Sequence, residues 1–273
     1  MKTTFAAVMG LLLALISQAQ KLPNIQQTSL YAPENVKIDG KADEWGNQFQ
    51  AYNHATDIFY TISNDDDNLY VVVQATDAVV IKKIIYGNIT LTVNQGNKAS
   101  KNIALSVTYP SIERKNQGSI IQNKNKLVSI ANDAAVSKTN DSLIAVLNTQ
   151  MLSLSGIKVS GIVSFKDSLL TANNTMGIKA MALMDHSQAY TCEIAVPLKY
   201  LKAAGVTNDK LKYNIKLNGL FYNTNTTVQL SADGQSTLRS TPGYPSLEMK
   251  NTPETLVLDY ATDLSGEYTL AKK

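Results

Sequence analysis

Asp57–Asp77 reads DIFYTISNDDDNLYVVVQATD. Two apolar runs, Ile58–Ser63 and Leu69–Ala75, flank the polar stretch NDDDN. Three readings compete for it: a cation site, a catalytic carboxylate cluster, or a turn between two buried strands. An EF-hand loop places a Gly at its sixth position and a Glu at its twelfth. Counted from Asp65 those positions are Tyr70 and Thr76; counted from Asp66 they are Val71 and Asp77. Neither register fits. An irregular oxygen cage drawing on Asp65, Asp67 or Asp77 stays open, with calcium as its cation. The turn reading is the stronger one, because Asp and Asn hydrogen-bond their own backbone and tolerate turn geometry. It makes Asp57–Ser63 and Asn68–Ala75 a hairpin. The second strand is apolar on both faces, as a central strand covered on two sides should be.

Period two recurs along the chain. In Lys212–Asn218, Tyr213, Ile215 and Leu217 alternate with Lys and Asn, the pattern of a strand with one wet face. Tyr190–Val196 places Tyr190, Cys192, Ile194 and Val196 on one face. Further strands are expected at 89–94, 102–109, 142–148, 156–165, 176–184, 227–231 and 254–260. Helix is expected only over Pro197–Ala204, with Pro at its first turn and Gly205 just beyond it. Ile112–Lys126, with four cations diluted by Asn and Gln, reads as a solvated loop. About ten short strands and one short helix predict an all-β antiparallel sandwich, jelly-roll or immunoglobulin-like.

The N-terminal residues MKTTFAAVMGLLLALISQAQ carry a signal-peptide pattern: Lys2, an apolar stretch Phe5–Ile16, and the small-x-small site Ser17-Gln18-Ala19. The expected organisation is a signal peptide over 1–19, an extended leader over 20–30 and one β domain over 31–273. The mature protein is expected to be exported, periplasmic or extracellular, and not membrane-spanning. A net charge of +3 spread along the chain gives no nucleic-acid footprint. The lone Cys192 forms no internal disulfide and reads as a buried thiol.

Four motifs occur in order: VKIDGKADEWGN (Val36–Asn47), the hairpin Asp57–Asp77, AYTCEIAVPLKYL (Ala189–Leu201) and KLKYNIKLNGLFYN (Lys210–Asn223). The series resembles family 9 carbohydrate-binding modules and the broader DOMON-like β-sandwiches. That resemblance assigns Asp39, Gly40, Glu44, Trp45, Asn68, Tyr70, Glu193 and Pro197 to scaffold motifs, and it implies carbohydrate as the ligand. Sugar rings stack their apolar faces on aromatic side chains. The single Trp is already the scaffold residue Trp45, so the stacking role falls to Phe221, Tyr222, Tyr86 and Tyr109. No catalytic signature is present. Glu44, Asp77 and Glu193 form no recognisable glycosidase pair. His54, His186 and the Met residues reveal no haem ligand pair, although DOMON-like relatives include haem binders. The expected function is non-catalytic carbohydrate binding, with a structural or protein-interaction sandwich of the cell envelope as the alternative.

Overall fold

The computed structural model describes residues 21–94, 104–128, 134–162, 168–203, 209–220, 227–230, 236–239 and 253–273. The hairpin that opened the sequence reading is its centre. Strands β2 (Ile58–Asn64) and β3 (Asn68–Ala75) pair antiparallel, with Ser63 opposite Tyr70 and Asn64 opposite Leu69. With β1 (Ala51–Asn53), β8 (Lys179–Met184) and β9 (Tyr190–Pro197) they form a five-stranded sheet in the order β1-β2-β3-β9-β8.

A second sheet has the order β13-β10-β4-β5-β6-β7. Its strands are β4 (Ile89–Asn94), β5 (Leu105–Ile112), β6 (Ser155–Ser160), β7 (Ser168–Leu170), β10 (Lys210–Leu217) and β13 (Thr262–Thr269). A separate hairpin pairs β11 (Thr227–Leu230) with β12 (Ser236–Arg239). The two large sheets bury one shared apolar core. Ile58, Ile62, Val71, Val73, Ile194 and Val196 come from the first sheet; Leu91, Val107, Tyr213, Ile215 and Leu264 come from the second. Each such side chain contributes about 1.5–3 kcal/mol on leaving water. The antiparallel two-sheet sandwich is therefore the architecture that period two predicted.

The helices depart from the sequence reading. Asp77 lies two residues beyond β3, and its carboxylate accepts from the N–H groups of Val79 and Val80, capping α1 (Ala78–Gly87). The expected loop at 112–126 contains α2 (Arg114–Lys124), which buries Gln117, Ile120 and Ile121. The expected strand 142–148 lies inside α3 (Ala134–Leu154), where Ile144, Leu147 and Met151 face the core at spacings of three and four. The expected strand 254–260 covers α5 (Pro253–Asp259). Pro197 closes β9 and the helix that follows, α4, spans Leu198–Ala203. Among the described residues no helix is long and apolar enough to cross a membrane.

Two side-chain amides finish the edges of the first sheet. The short β1 covers β2 only as far as Tyr60. Beyond it, Gln26 donates to the Ile62 carbonyl and accepts from the Ile62 N–H, at 2.8 and 2.7 Å. On the opposite edge Asn148 of α3 does the same for Met184 of β8, at 2.9 and 2.8 Å. Each amide stands in for a missing strand, so edge backbone groups do not go unpaired. Residues of the expected leader are thus part of the sandwich edge. Leu30 and Ala32 bond the Asn64 backbone, and the hydroxyl of Tyr268 on β13 bonds Leu30 and the Asn64 side chain.

Candidate functional site

In the NDDDN turn, one Asp65 carboxylate oxygen accepts from the N–H groups of Asp67 and Asn68, at 2.8 and 2.6 Å. The other accepts from the Tyr70 hydroxyl at 2.6 Å. Burial pushes the Asp65 carboxyl up, but these hydrogen bonds outweigh it and hold it below the usual aspartate range. The Asp67 carbonyl accepts from Leu198 N–H and so joins the turn to α4. Asp67 itself is exposed. Asp65 is occupied by its own turn and Asp77 by a helix N-terminus, so the structure does not bring the expected cation ligands together. Among the described residues no three His, Cys, Asp or Glu side chains group as a metal site.

The scaffold residues do meet. A small second core lies on the outer face of the first sheet: Ala32, Ala42, Trp45, Tyr70, Val72 and Ala195, with Val36, Ile38 and Phe49 packed against it. Trp45 meets Tyr70 edge to face at 6.4 Å and donates its indole N–H to Ser63. Asn68 donates to the Tyr70 hydroxyl. Pro197 pairs with Asn68 across β3 and β9.

Glu193 fastens this layer to the sheet. It is 0% exposed. Its Oε2 accepts from the N–H groups of Asp39 and Gly40, at 2.9 and 2.8 Å. Gly40 is required there: its φ is +85°, and a Cβ would lie 2.8 Å from Leu183. The Oε1 of Glu193 is buried without a partner. So is Oε2 of Glu44, whose Oε1 accepts from the Lys37 N–H. Burial pushes the Glu193 carboxyl up to about 7, against the pull of the two N–H groups and with repulsion from Asp39 and Glu44.

Of the four aromatic residues expected to stack on a ligand, two lie among the described residues. Tyr109 is buried between the sheets and presents no face to a ligand. Tyr86 lies half-buried on α1, against the core. Phe221 and Tyr222 lie outside the described residues, as does the leader peptide read over 1–19. The aromatic side chains that do gather are Phe49, Tyr52, His54 and Phe59, which the sequence reading did not select. Tyr52 and Phe59 sit opposite one another on β1 and β2, with ring centres 4.6 Å apart. Phe49 adds a ring 5.8 Å from Phe59, and His54 one 4.8 Å from Tyr52. Strand register continues this row as Gln74, Thr191 and Leu183, crossing all five strands. Gln74 donates to the Thr191 hydroxyl, and Tyr52 donates to the Asp57 carboxylate. The signal in the sequence was the alternation of Tyr52 and Phe59 in a hairpin whose other face is Ala51, Ile58 and Tyr60. The row is a partly exposed aromatic strip beside hydrogen-bonding side chains.

At another place in the fold, Lys83 on α1 is 1% exposed and donates to Thr262. Burial lowers its ammonium to about 8. Cys192 is buried, and burial pushes its thiol up, which suits a core residue and not a nucleophile.

No family model matches this chain, and neither the curated proteins nor the solved structures include a match to it.

Proposed function

We propose that the protein is an exported, non-catalytic carbohydrate-binding sandwich of the kind its motif order resembles. The observation that carries this reading is the strip Phe49–Phe59–Tyr52 on the outer face of the first sheet, continued by Gln74 and Thr191. Sugar rings offer apolar C–H faces to aromatic rings and hydroxyls to amides and hydroxyls. The rings supply the first and the half-buried Gln74 the second, with buried Thr191 holding the Gln74 amide. The N-terminal signal-peptide pattern supports export to the periplasm or beyond.

Binding of a panel of soluble oligosaccharides and insoluble polysaccharides to the purified protein tests this. Saturable binding of one class is expected, with a Tyr52→Ala/Phe59→Ala pair weakening it about 5- to 150-fold. A folded protein that retains none of the panel overturns the reading. A protein-interaction role draws on a different observation. Leu256, Val257 and Tyr260, at and just after α5, are exposed, Tyr260 to 67%. That role predicts sugar indifference and capture of a protein partner that Tyr260→Ser abolishes.

A further inference from the structure

We infer that Glu193 is a proton-operated clamp: protonated, it holds the Val36–Phe49 segment on the first sheet, and on ionising it loosens that segment and the aromatic strip beside it. The link to ligand binding rests on the carbohydrate reading above; the clamp itself does not.

The geometry is a carboxyl group split between two duties. One oxygen holds the turn Asp39-Gly40 through two backbone N–H groups. The other faces buried space with no partner, and Glu44 leaves a second buried oxygen unpartnered in the same layer. A proton on Glu193 turns its orphaned oxygen from an acceptor into a hydroxyl and relieves its repulsion from Asp39 and Glu44. Loss of the proton leaves acceptors without donors and adds a buried negative charge. The charged groups of the overlying segment that raise Glu193 are acidic, Asp39 and Glu44. The flanking residues on the sheet are Val72 of β3 and Met181 of β8. Cys192, next along β9, belongs to the inter-sheet core. Lys37 and Lys41 are exposed in the segment, and Lys179 is exposed on β8 opposite Ala195.

The clamp reaches the strip by contiguity. Glu193 lies two residues along β9 from Thr191, which is part of the aromatic row. Phe49 belongs to both the clamped layer and the strip. Trp45, the one tryptophan of the chain, sits inside the clamped segment. Its emission therefore reports the clamp directly.

Trp45 emission and acrylamide quenching of the purified protein are measured from pH 5 to 9, with and without calcium or a chelator. A transition with a midpoint near 7 is expected, with quenching rising on the alkaline side. Glu193→Gln should abolish it. Glu44→Gln keeps the titrating group, removes a repelling charge, and should move the midpoint to lower pH. No transition, an unchanged one in Glu193→Gln, an unmoved midpoint in Glu44→Gln, or a transition governed by calcium each overturns the clamp. Sugar affinity followed across the same range should fall where Trp45 responds. A flat affinity overturns the coupling. A Trp45 response with no sugar bound at any pH overturns the carbohydrate reading and leaves the clamp standing.

Discussion

The acidic run at 65–67 and the carboxylates Glu193 and Glu44 are opposites. The run is dense in the sequence and quiet in the fold: Asp65 has both oxygens hydrogen-bonded, and Asp66 and Asp67 are in water. Glu193 is a single acid in an apolar strand, yet it is buried with one oxygen unsatisfied. Charge density along a chain measures solvation as readily as function. Electrostatic stress sits where burial removes water without supplying enough donors. The largest test of this contrast is Glu193→Leu. It leaves the N–H groups of Asp39 and Gly40 without their acceptor. The expected loss is about 2–6 kcal/mol of stability, read from urea unfolding, at about 1–3 kcal/mol for each of the two orphaned groups. A loss under about 1 kcal/mol would show that the overlying layer holds without its carboxylate.

Opposite pH dependences sharpen the contrast. Between its ordinary 4.5 and about 7, Glu193 is protonated in the folded chain and ionised in the unfolded one. Unfolding then releases a proton, so its contribution declines as pH rises through that window, by up to about 1.4 kcal/mol per pH unit. Asp65 is shifted the other way. Its contribution is present above the unfolded aspartate range and is lost as pH falls through its folded value. Urea unfolding from pH 3 to 8 should show Glu193→Gln flattening the neutral limb and Asp65→Asn flattening the acid limb. One limb responding to both variants would mean that the two sites are coupled.

The central hairpin was legible because two apolar runs flank a polar stretch with turn chemistry. Ile89–Asn94 and Tyr190–Val196 were legible through period two. The helix α3 was not: Ser142–Asn148, SLIAVLN, is rich enough in β-branched and apolar residues to pass for a strand. Its helical signal is the spacing Ile144, Leu147, Met151, visible only in a longer window. No helix was expected over α1 because VVIKKII, Val79–Ile85, is rich in β-branched residues, which favour strand. The residues that the resemblance assigns to scaffold motifs carry no geometry in the sequence. Only folding brings Gly40 to within reach of β9, so Glu193's unsatisfied oxygen has no sequence signature. The aromatic strip was not legible because strand pairing, not proximity along the chain, brings Tyr52 and Phe59 together.

The smallest expected effect is the most direct way to break the comparison. Asp67→Ala removes an exposed side chain, one of the three expected cation ligands. Its structural work, accepting from Leu198, is done by a backbone carbonyl that alanine retains. Exposed substitutions away from caps and buried networks change stability within about 0.5 kcal/mol, and this one should too. The melting temperature should be the same with calcium or chelator, for both the parent chain and the variant. A calcium-dependent rise in the parent that disappears in Asp67→Ala would make the run a cation site after all. The turn's internal hydrogen bonds argue against that result, because both oxygens of Asp65 already accept hydrogen bonds, from the Asp67 and Asn68 N–H groups and the Tyr70 hydroxyl.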